Sequence, residues 1–180
     1  RLTLDIAHVD DALFECAEKA ENNQVQTLFF DAMRDVRRQR PQIERRYHQT
    51  IGRQFSDFLE GKLAPQPSQA LDAEQLALVQ NEDYEESLQV TNMVSRVKAR
   101  GAQSLFALEQ RLALLNNGQK LVEDGNPFGP QMIAQAFRDA LSPCPFPLRI
   151  KVILYTLFDS HVMQSLEALY GALNQRLIDA

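Results

Sequence analysis

The sequence predicts an all-α fold, an elongated bundle of five to seven helices, three of them long. Three observations carry this reading. Apolar residues recur at helical spacing through every long segment. No stretch alternates with period two for long enough to form a strand. Glycine supplies only 7 of 180 residues, too few for the positive-φ hairpins of a loop-rich β fold.

Each element has its own signal. Asp10 or Asp11 is placed to cap a first helix carrying Leu13, Ala17 and Ala20. Asn22-Asn23 breaks it, and a second pattern runs through Val25, Leu28, Phe29, Ala32, Met33 and Val36. Pro41 follows, and the stripe resumes in phase at Ile43, Tyr47, Ile51, Phe55 and Phe58. A kink or tight junction at Pro41 fits that kept phase better than a loop. Gly61 and the Pro65–Pro67 stretch end the pattern. Asp72 and Gln75 resemble the capping box of a short helix reaching Val79. Asn81 then caps the longest pattern, Tyr84 to Leu115. As one helix over 82–115 it is about 50 Å long. Asn117-Gly118 stops it. Pro130 opens a short helix bearing Ile133, Phe137 and Leu141, and the Pro-rich turn 143–147 leads into a last helix to 178. The expected core includes Phe29, Met33, Phe55, Leu108, Leu112, Phe137, Leu154 and Leu166.

One domain over 1–180 is expected, long enough to bury a core without metal or crosslink. The chain opens on Arg1 and ends within a helical pattern, which reads as a fragment of a larger protein. Two distant cysteines, Cys16 and Cys144, suit a reduced cytoplasmic setting. The longest apolar run, Ile150 to Phe158, holds Lys151 and falls short of the ~20 residues a membrane helix needs.

Catalytic motifs are missing. There is no nucleophile elbow, no Walker loop and no dinucleotide fingerprint. Of the three histidines, His48 stands four residues after Glu44 and could share a metal or proton site with it. A di-metal bundle needs Glu-x-x-His pairs from two helices, and the spacing here differs, with Arg45 and Arg46 adding positive charge. A surface ion pair is the simpler reading. His8 falls in the lead-in segment with no visible partner, and no cofactor is implied. Gly125 and Gly129, with Pro127 and Pro130, read as a corner between helices rather than a phosphate loop.

Charge is the most informative pattern. Between residues 34 and 53 lie seven arginines, Arg34, Arg37, Arg38, Arg40, Arg45, Arg46 and Arg53, against Asp35 and Glu44. From Leu63 to Ser95 there is no Lys or Arg, while Asp72, Glu74, Glu82, Asp83, Glu85 and Glu86 are acidic. Arginine's planar fork suits carboxylate or phosphate. Arg34, Arg37, Arg38, Arg40, Arg45 and Arg46 are therefore the expected partner-binding residues. Two alternatives stand beside this: the acidic stretch packs on the arginines within the fold, or the patch is a solvated face. A net charge of −5 argues against nucleic acid.

Several segments taken in order carry a resemblance. They include Phe30-Asp31-Ala32-Met33-Arg34-Asp35-Val36-Arg37, Arg40-Pro41-Gln42-Ile43-Glu44-Arg45-Arg46 and Glu85-Glu86-Ser87-Leu88 with Asn92-Met93-Val94. Leu105-Phe106-Ala107-Leu108-Glu109-Gln110-Arg111-Leu112, Asn126-Pro127-Phe128-Gly129-Pro130, and Leu154-Tyr155-Thr156-Leu157-Phe158-Asp159 before His161-Val162 complete them. Together they resemble the N-terminal part of the bacterial family called domain of unknown function 1631. The resemblance implies a larger parent protein without an established activity. It also implies a link to cyclic-di-GMP signalling in some relatives, although the PilZ signature is not in this chain. It carries no functional residues over.

The expectation is a non-catalytic interaction or regulatory module of a larger bacterial cytoplasmic protein. Its partner is another protein, other domains of the parent chain, or a second copy in a homo-oligomer. The alternative is a sensor binding a phosphate-containing ligand, such as a cyclic dinucleotide, through the arginine patch.

Overall fold

Asn22 starts the longest helix by accepting a hydrogen bond from the Val25 amide at 3.0 Å through its side-chain oxygen, which satisfies one of the amides that a helix start leaves free. In the computed structural model, which describes residues 6–63, 81–118, 120–122 and 124–179, this helix is α2, Asn23–Leu59. It follows α1 (Ile6–Glu18) and precedes α3 (Asn81–Leu115), α4 (Pro130–Leu141), α5 (Leu148–His161) and α6 (Leu166–Ile178). A short 3-10 turn, Met163–Ser165, joins α5 to α6. Among the described residues there is no strand, and the fold is all-α. The expected short helix at 72–79 lies outside the described residues.

Helix α4 is central. Met132, Ile133, Ala134, Ala136, Phe137, Ala140 and Leu141 are all buried in it, and Gln131, Gln135, Arg138 and Asp139 form its polar side. Pro130 occupies its first turn, where a missing N–H costs nothing. Helices α2 and α3 both pack on α4, α1 packs on α2 and α5, and α3 also packs on α5 and α6. The Phe137 and Phe158 rings stack at 3.9 Å, with Tyr47 and Tyr155 edge-on to Phe137. The corner before α4 is built by Asn126, whose side-chain oxygen accepts from the Phe128 amide at 2.9 Å. Tyr170 of α6 donates to the Phe128 carbonyl at 2.9 Å. This loop is a structural corner, as its prolines suggest.

Several expectations need correction. Helix α1 begins at Ile6, so Asp10 and Asp11 are interior to it and cap nothing. Asp10 instead accepts from Arg37 of α2 at 2.9 Å. His8 has a partner: its ring stacks on His161, at the end of α5, with centroids 4.0 Å apart. The Pro41 expectation needs no correction: one helix, α2, continues through it with no loop, as the kept phase predicts. Helix α3 is not one regular rod, because Gly101 leaves helical geometry at φ −99°, ψ 15°. Gly101 is buried there, 4.0 Å from the Glu167 Cβ of α6, measured from where its own Cβ would stand. The third long helical arm, 148–178, is interrupted at Val162 (φ −110°, ψ −60°). Ser165 donates to the Val162 carbonyl at 2.6 Å, the kind of local bond by which serine competes with helix geometry.

The expected core is buried with two exceptions. Met33 is half-buried. Phe55 is 37% exposed and leans on Phe128, with ring centroids 5.2 Å apart. Gln54, two turns after Tyr47, takes the inward position instead, since seven residues return to nearly the same side of a helix and eight overshoot it.

Candidate docking face

The inward side of α2 is set by Ala32, Val36, Tyr47 and Phe58, all buried. At 3.6 residues per turn, positions 34, 38, 45, 52, 56 and 59 fall within about 60° of one another on the opposite side. All six are exposed: Arg34, Arg38, Arg45, Gly52, Ser56 and Leu59. The sequence therefore places a basic line along the outer face of a helix roughly 55 Å long.

The arginines on and beside that line are not equivalent. Arg34 pairs with Asp31, and Arg38 reaches Asp35 at 3.3 Å. Arg37 bonds Asp10 at 2.9 Å and so ties α2 to α1. Arg40 and Glu44 meet at 2.8 Å. Arg46 is half-buried and donates to the Ala140 carbonyl at 3.4 Å. That carbonyl belongs to the last turn of α4, where a cation complements the helix dipole. Arg45 and Arg53 are exposed, and among the described residues neither has an ion pair or hydrogen bond. They are eight residues apart, about 12 Å along the axis and about 80° round it. Of the six arginines expected to bind a partner, Arg45 alone keeps its full donor fork. Arg53 also keeps its fork, but eight residues overshoot two turns by about 80°, so it stands on the flank beside the line and not on it.

Gly52 is the feature that residue type alone does not reveal. It lies mid-helix and exposed, and a Cβ there would meet nothing within 4 Å. An interior glycine costs about 1 kcal/mol relative to alanine. Nothing among the described residues makes use of the missing side chain.

Among the described residues, no acid of 82–86 pairs with those arginines; Asp72 and Glu74 lie outside the described residues. Glu86 turns inward, 4% exposed, and accepts from Lys151 at 2.6 Å and from the Tyr155 hydroxyl at 2.7 Å. Burial, then the hydrogen bond and charge of Glu86, push the Tyr155 phenol far above its ordinary range. Arg138 of α4 donates to the Asp83 carbonyl at 3.4 Å. The carboxylates of Glu82, Asp83 and Glu85 have no ion pair among the described residues.

Neither of the other chemical candidates gathers a site. Glu44 is engaged by Arg40, and the exposed His48 lies edge-on to Tyr47. Among the described residues no three His, Cys, Asp or Glu side chains stand together as metal ligands. Both cysteines are free, and burial pushes the Cys144 thiol up in pKa, opposed by Arg46. A cleft of mixed lining beside α3 holds Lys98, bonded to Asp124 at 2.8 Å, and Glu109. Burial raises the Glu109 carboxyl, with Lys98 and Asn126 opposing. No helix among the described residues is long and apolar enough to cross a membrane.

The fold and this face define an all-helical domain whose outer helix carries unspent positive charge. Residues 2–180 match the N-terminal domain of a family of proteins of unknown function, DUF1631, and the chain belongs to that family. No curated protein and no solved structure matches it.

Proposed function

We propose that this domain is a non-catalytic protein-interaction module whose docking surface is the outer face of α2. The observation that carries the reading is the division among the arginines. Arg34, Arg37, Arg38 and Arg40 are neutralised by carboxylates of the same chain, while Arg45 and Arg53 stand exposed without one among the described residues. Guanidinium forks without partners favour carboxylate-bearing surfaces. The separation of about 12 Å suits an extended acidic surface better than a single phosphate. A phosphate sensor needs several forks converging on one point, and most of these are already engaged within the fold.

Immobilised chain and its Arg45→Glu/Arg53→Glu variant would be compared for protein capture from extracts of cells that make it. The wild type should retain proteins that the variant loses and that about 500 mM salt releases, as screening of an ionic contact requires. An identical captured set on a variant with an unchanged helical spectrum contradicts the reading. A thermal-shift series with cyclic dinucleotides and inorganic phosphate tests the sensor alternative. A ligand that binds only the native state raises Tm, and this module should show no rise.

A further inference from the structure

We propose that the outer face of α2 docks on a second copy of this chain, at that copy's acidic start of α3. This deepens the reading of α2 as a docking face and rests on it. The chain carries the two halves of an ionic contact, and among the described residues they are not joined. On α2, Arg45 and Arg53 are exposed and unpaired among the described residues. On α3, Glu82, Asp83 and Glu85 put three carboxylates in four residues, with no ion pair among the described residues. The neighbouring Glu86 is taken by Lys151 and Tyr155. Helices α2 and α3 both pack on α4, so the two charged groups stand on separate elements of one molecule. Association about a two-fold axis brings α2 of each copy to α3 of the other and matches both sets of charges at once.

Charge alone makes a weak interface, because exposed ion pairs gain little in water. Two uncharged positions on the same line supply what charge lacks. Gly52 leaves the helix surface flat, with nothing near its absent Cβ, so another backbone can approach closely. Leu59, 62% exposed, continues the line and offers apolar area to cover. Glu82 and Asp83 also lie in the first turn of α3, where the helix dipole favours negative charge.

Sedimentation velocity on the chain tests this. At about 100 μM chain and about 50 mM NaCl the expected species is a dimer, and about 500 mM NaCl should return it to monomer. Arg45→Glu/Arg53→Glu and Glu82→Arg/Glu85→Arg should each be monomeric with unchanged circular dichroism. Mixed in equal amounts they should dimerise again, because each contact in the mixed dimer has opposite charges. Gly52→Leu should weaken the dimer at least tenfold. If a reversal does not fold, Arg45→Gln/Arg53→Gln replaces it, with the same loss expected. A wild type that stays monomeric at low salt overturns the proposal, and so does a dimer that survives both reversals. A monomeric wild type whose capture of other proteins still depends on Arg45 and Arg53 removes this occupant and leaves the docking face. Loss of both removes the face as well.

Discussion

Two regions of the molecule use the same chemistry to opposite ends. At the α3–α5 junction, Lys151 and Glu86 are paired with side chains only 13% and 5% exposed, and Tyr155 completes the bonding. Along the outer face of α2, the arginines are in water, and two have no partner among the described residues. Buried ions must be matched because an unpaired charge out of water is costly. Exposed ions are cheap to leave unmatched, and so remain available to something outside the fold. Burial, more than charge type, separates the ions that hold the structure from those that can serve it.

The sharpest way to break this contrast is at the junction. Lys151→Ala strands Glu86 in the interior and should cost about 3–5 kcal/mol in urea unfolding. Replacing both Glu86 and Lys151 by methionine should recover part of that loss. If Lys151→Ala costs less than about 1 kcal/mol, the junction behaves like a surface pair and the contrast fails.

Next comes the apolar counterpart on α3. Leu108 is fully buried, and Leu108→Ala should cost about 2–5 kcal/mol. Phe106, two residues earlier and 63% exposed, should change stability by less than about 0.5 kcal/mol on replacement by alanine. Similar losses at the two positions would place the stripe differently from the structure.

A smaller effect sits between the two regimes, at half-buried Glu109. Burial raises its carboxyl above the ordinary 4.5, so the folded state holds this proton more readily than the unfolded chain. Its ionisation therefore opposes folding, and this contribution to stability improves as pH falls through the raised value toward 4.5. Glu109→Gln should melt slightly higher than wild type at neutral pH, and the gap should narrow as pH falls through that window. A gap that widens on acidification would reverse the sign.

How far the sequence revealed these regions depends on distance along the chain. The pairs Asp31–Arg34, Asp35–Arg38 and Arg40–Glu44 follow from helical spacing, because residues three and four apart share a face. Asp10–Arg37 and the Arg46 contact with α4 join residues 27 and 94 apart, and only the tertiary fold creates them. Glu86 reads as one more acid in a run by residue type, but its spacing of four, seven and eleven to Val90, Met93 and Val97 puts it on the inward side. The interruption at Val162 left no trace: Leu154, Phe158, Val162 and Leu166 follow at steps of four, in phase with a continuous helix. The α2 stripe kept its phase across Pro41, and there the helix is continuous.

The most direct test of the central contrast is equilibrium urea unfolding of Arg45→Glu/Arg53→Glu, measured at about 500 mM NaCl, where association is screened. If these arginines stand outside the structural bookkeeping, the free energy of unfolding should match wild type within about 0.5 kcal/mol, with the same slope. A loss above about 2 kcal/mol would show that the outer face of α2 holds the fold together, and would contradict its assignment as a surface free to bind.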